Sequence, residues 1–142
     1  MISEIQALET ALAGVVVGGV HIGQHSNPPD QFPKLPYILI EPQVGDPVLE
    51  ESLEAEDGEW DVDVRLKAVA ANTTSALVAL RNAKARLTAG GRRAPLSVPG
   101  RSCRITYMRH EADFVDTQTL IAGTSRQVVL SIDTYRLVSE PN

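Results

Sequence analysis

The chain has 142 residues, a net charge of -5 at pH 7 and a single cysteine, Cys103. This length suits one domain, residues 1–142, with a core that needs no staple, and a lone cysteine excludes an internal disulfide and a multi-cysteine zinc site. No apolar run is long enough to span a bilayer, and MISEIQALETAL has no basic segment ahead of an apolar one, so we expect a protein of a reducing cytoplasm, neither secreted nor membrane-embedded.

Ser3 and Gln6 form a capping box, Ile5, Leu8 and Leu12 share a helical face, and Gly14 stands where a helix stops, which predicts a short helix over residues 3–13. Val20 to Gly23 reads as a short strand among glycines. HSNPPDQFPKLP holds four prolines in twelve residues and reads as a loop. In PYILIEP, residues 36–42, the prolines at both ends predict a short or edge strand. Val48 to Glu56 and Glu59 to Ala70 flank Asp57-Gly58, the signature of a tight hairpin turn. In the second arm Trp60, Val62, Val64, Leu66 and Ala68 alternate with Asp61, Asp63, Arg65 and Lys67, giving one buried and one wet face.

Asn72 to Ser75 opens a helix whose stripe is Ala76, Leu77, Leu80, Ala83 and Leu87, with Arg81 and Arg86 pointing away, Lys84 at the rim and Gly90-Gly91 ending it. Residues 89–102, rich in glycine and proline, read as a loop that orders against a partner through its arginines. Two closing strands follow, near 103–115 and 126–138. The order predicts an α+β fold: an antiparallel or mixed sheet with a short N-terminal helix and one central helix packed on one face, a long hairpin and loops.

The chemistry is sparse. A strand feeding a helix is a common phosphate site, but no Gly-x-x-x-x-Gly-Lys or Gly-x-Gly-x-x-Gly accompanies the 72–75 joint, so capping accounts for it. His21 and His25 lie four apart in a glycine- and proline-rich stretch with no third ligand, which leaves no metal and no other cofactor in view. Seven residues of extended strand set Cys103 and His110 roughly 23 Å apart, too far for a thiolate pair. Paired acids such as Glu50-Glu51 and Asp61/Asp63 fall on wet faces, where carboxylates stay ionised and make poor general acids. We therefore expect no enzyme.

The charges come in blocks. Glu41 to Asp63 holds ten acids and no base, and Val64 to His110 holds ten bases and no acid. Either the fold pairs the blocks within one subunit, at ~0–1 kcal/mol per surface pair, or a polarised subunit offers its acids to a neighbour's bases. The second alternative selects Glu50, Glu51 and Glu54 against Arg81, Lys84 and Arg86, with Arg92 and Arg93 in the loop beyond, as a subunit or tube interface. Among the bases only Tyr107 is aromatic, so no stacking platform for nucleic acid emerges.

In layout and size the whole chain resembles the tail terminator proteins of long-tailed phages, most of all in PYILIEP and in DVDVRLKAVAANTTSALVALRNAKARL. The resemblance implies a structural subunit of the virion, assembled in the host cytoplasm, that forms a homo-oligomeric, hexameric ring on the tail tube. Such a ring stops tube polymerisation and joins the head or neck. Its partners would be its own copies, the tail tube protein and a head or neck completion protein, with DNA only as passing cargo and no membrane. A neck or head-tail connector protein of related fold is the nearest alternative, and a small-molecule-binding or enzymatic α+β domain is the alternative of a different class.

Overall fold

The computed structural model describes residues 2–23, 33–43, 59–119 and 125–142. In chain order the elements are α1 (Ile2–Ala11), β1 (Val20–Ile22), β2 (Tyr37–Pro42), β3 (Trp60–Ala70), α2 (Thr73–Leu87), β4 (Arg93–Val98), β5 (Arg101–Thr119) and β6 (Ser125–Pro141). Among the described residues six strands form one mixed sheet in the order β1-β2-β3-β6-β5-β4, in which β1 and β2 run parallel and every other pair is antiparallel. Sheet outweighs helix, and both helices pack on the same face.

The alternation in β3 sends Trp60, Val62, Val64, Leu66, Ala68 and Ala70 to that face, where they meet Ala76, Ala79, Leu80, Ala83 and Leu87 of α2 and Ile5, Leu8 and Leu12 of α1. Three alanines on the buried stripe of α2 let the helix lie close to the strands. The helix starts where Ser75 N–H donates to Asn72 Oδ1 at 2.8 Å, satisfying one of the orphan donors of the first turn. Helix α1 touches β4 at one edge of the sheet and β1 and β2 at the other, so the sheet curls around it. Glu4, buried, accepts from Arg101 Nε at 2.8 Å and from Ser139 Oγ at 2.9 Å, which ties α1 to β5 and β6.

Several expectations change. Residues 93–98 of the expected loop are a strand: Ala94, Leu96 and Val98 are buried in turn while Arg93, Pro95 and Ser97 face out, and β4 pairs with β5 through a turn at Pro99-Gly100. An edge position tolerates Pro95 because one side of the strand needs no donor. Strand β2 is short, as its prolines suggest, but lies between β1 and β3 and not at an edge. Leu77 is 41% exposed, and Ala79 takes the place expected for it on the buried stripe. The closing strands are longer than expected, at 19 and 17 residues. The first arm of the expected hairpin and its Asp57-Gly58 turn lie outside the described residues. Among the described residues, no helix is long and apolar enough to cross a membrane.

Candidate interaction surface

The face of the sheet away from the helices carries a small apolar cluster, Tyr37, Val69, Val128 and Leu130, near one end and mixes polar side chains with a few apolar ones elsewhere. On β4, β5 and β6 the two-residue period places side chains in cross-strand rows. Arg93 lies beside Thr106 and Thr106 beside Arg136; Pro95 lies beside Arg104 and Arg104 beside Val138; Ser97 lies beside Ser102 and Ser102 beside Glu140. Together with Arg92 and Met108 these rows line an open hollow of about 870 Å³.

Four guanidinium groups therefore surround one concavity, with a single carboxylate, Glu140, among them. Arg104 Nη1 donates to the Arg93 carbonyl at 3.2 Å and so fastens the edge strand to its neighbour. Arg136 Nε donates to Asp61 Oδ1 at 2.7 Å in a two-pronged pair, and that contact holds the Asp61 carboxyl below its ordinary range. The Arg136–Asp61 fork shows on a small scale what the surface is suited to do. Planar guanidinium groups bind carboxylate or phosphate through paired N–H donors.

No protein-family model matches this chain, and no curated protein matches it in sequence. Its role has to be read from its own residues.

A second polar cluster sits beneath the start of the distal part of β5. Asp133, buried on β6, lies 2.7 Å from His110 Nδ1, and Asp113 lies 3.1 Å from His110 Nε2. The hydrogen bond to Asp133 raises the His110 pKa, and in its protonated form the ring donates to a carboxylate on each side. Both ring nitrogens are engaged by carboxylates of the chain, so the group works as a clamp. It spans the stretch between two register shifts in the β5–β6 ladder, at Tyr107/Arg109 and Glu111/Phe114. Burial pushes the Cys103 thiol up to about 11, far from a reactive thiolate. His21 Nε2 faces the Gly18 carbonyl at 3.0 Å. Among the described residues no group of three or more His, Cys, Asp or Glu is placed to hold a metal ion.

The residues selected from the charge blocks separate into two places. Arg81, Lys84 and Arg86 lie on α2, on the helix-covered side of the sheet, whereas Arg92 and Arg93 border the hollow on the other side. Lys84 Nζ stands 3.8 Å from the Tyr107 ring centroid, and Arg86 donates to the Ala13 carbonyl, so both have contacts within the chain. Glu50, Glu51 and Glu54 lie outside the described residues. The two blocks meet within the subunit at Lys67 and Glu41, 3.0 Å apart, while Asp61 of the acidic block is taken by Arg136, which lies beyond the basic one. Arg104 and Arg136 complete the hollow and were not selected from the sequence. The signal for Arg136 was its place between Tyr135 and Leu137 in an alternating strand, which puts it on the wet face.

Proposed function

We propose that this chain is a structural subunit of a long-tailed phage particle, a tail terminator that assembles as a hexameric ring on the end of the tail tube, stops its polymerisation and offers a joining surface to the head or neck. The observation that carries the proposal is the arginine-lined hollow on the bare sheet face. It is broad and open, it mixes Arg92, Arg93, Arg104 and Arg136 with Glu140 and with apolar Met108 and Val138, and its strands are braced from behind by the helix-packed core. An enclosed pocket with a few converging polar groups would suit a small ligand, whereas a wide mixed surface suits another protein. The layout of the chain, with its short helix, PYILIEP strand and strand-to-helix unit, adds the resemblance to tail terminators.

In this role the tube protein or the head completion protein would present carboxylates to the hollow, DNA would pass only as cargo, and no chemistry would be performed. Electron microscopy of particles made without this protein tests the proposal. Tails that grow beyond their normal length are the expected result. Tails of normal length without heads would assign the chain to the neck or head-tail connectors, and normal particles would overturn the structural role altogether.

A further inference from the structure

Two exposed apolar features lie outside the arginine-lined hollow. Beyond Thr106 the strand β5 has no β4 beside it, and the β5–β6 ladder runs on past the last pairing of β3, Ala70 with Val129, to Thr119 and Ser125. At the root of this arm, opposite Leu130 and Val129 of β6, β5 carries Phe114 on one face and Val115 on the other, 46% and 67% exposed. The arm is held in place, because Gln118 donates to the Tyr37 hydroxyl at 2.6 Å and Arg126 donates to the Pro33 carbonyl at 2.8 Å. Between α2 and the segment that leads into β1, Val16, Val17, Pro36, Val78 and Ala79 line a groove of about 260 Å³, with Val17 78% exposed.

We propose that these two features are the halves of one contact between copies of this chain, the Phe114–Val115 arm of one copy seating in the Val16–Val78 groove of the next. Charge favours a second copy as the occupant. Beside Phe114 and Val115 stand Asp113, held by His110, and exposed Asp116, while Arg126 across the ladder donates to Gln118 and the Pro33 carbonyl; α2 contains no acid, and Arg81 on α2 and Lys34, two residues before Pro36, are both exposed. Apolar contact supplies the adhesion and the rim charges set the register. Because donor and acceptor are different surfaces, the contact is head-to-tail, and repeated with a fixed rotation it closes a ring or runs on as a filament. The inference deepens the ring proposal and rests on it only for the closure.

The test uses three full-length chains: the unmodified protein, an arm variant (Phe114→Asp with Val115→Asp) and a groove variant (Val78→Asp). All three substituted positions are exposed, so each variant is expected to fold, which far-UV circular dichroism and the emission of Trp60 will verify. Sedimentation velocity should show the unmodified chain as a closed oligomer and each variant as a monomer, with self-association weakened at least about thirtyfold, the factor of a lost hot spot. Mixing the two variants should give a one-to-one heterodimer, since one intact arm then meets one intact groove. Variants that still assemble, or a mixture that stays monomeric, would overturn the contact while leaving the ring proposal to the tail-length experiment. Open filaments that both variants abolish would uphold the contact and refute the ring. An unmodified chain that is monomeric at its solubility limit would overturn the contact.

Discussion

The phase of α2 is decided by one pair of leucines. Leu80 is 3% exposed and packed among Ala76, Ala83 and the β3 side chains, while Leu77, three residues earlier, is 41% exposed. Leu80→Ala removes three methylene-sized groups from the core, a loss of about 2.4 kcal/mol at about 0.8 kcal/mol each. The neighbours on the helix are alanines with no side chain to swing into the gap, so a cavity term adds to this and the expected cost is about 3–4 kcal/mol. Leu77→Ala should cost less than about 1 kcal/mol, because much of that side chain is wet already. Trp60, fully buried and the chain's single tryptophan, reports unfolding by fluorescence in a urea titration. Both variants need the same protein concentration, since association raises apparent stability. Equal losses, or a larger loss at Leu77, would mean that α2 is rotated on the sheet and that the core assignment is wrong.

His110→Ala removes the donor that Asp133 faces in the interior and should cost about 1–3 kcal/mol near pH 6. The raised pKa of His110 fixes the sign: the clamp stabilises fully below the ordinary histidine value of about 6.5 and fades as pH rises through the raised one. The gap between the unmodified chain and the variant should therefore narrow toward pH 9, and a gap constant across that range in urea titrations would refute the clamp. Gly18→Ala should cost more than about 2 kcal/mol, as overpacking against backbone does. A methyl group there would lie 1.8 Å from the Lys34 carbonyl oxygen and 2.8 Å from that of Pro36, and backbone cannot swing aside. An unchanged melting temperature would show that the two segments do not cross as described.

Strong periodicity made the main elements legible. Helix α2 begins at the Asn72 cap and β3 follows its alternation because each signal is local and the burial it implies agrees with it. Strand β4 escaped because glycine and proline crowd its ends and Pro95 interrupts it, although Ala94, Leu96 and Val98 carry the same period of two that marked β3. Leu77 fits the expected stripe by its hydrophobicity, whereas the close approach of helix and sheet selects Ala79. For the candidate surface, the charge blocks contain Arg92, Arg93 and Arg104 but not Arg136, and they say nothing of which face each residue takes. Arg93 and Arg104 reach one hollow with Arg136 only through strand pairing across long stretches of chain, and no local pattern encodes that register. The His110–Asp133 clamp is hidden for the same reason and also depends on the irregular ladder beside it.

Strand β6 comes last in the chain yet lies in the middle of the sheet, between β3 and β5. Among the described residues it is the strand that links β1-β2-β3 to the β4–β5 hairpin, and it joins residues near Leu66 to residues near Thr134. Such pairing closes a large loop before any contact rewards it, which makes assembly of this sheet slow and all-or-none in character. Until residues 125–141 arrive, β3 offers a bare edge and an apolar face at once. The unfinished chain is then a ready template for strand pairing with its own kind, and the same central strand that completes the subunit is what keeps copies from meeting in the wrong way.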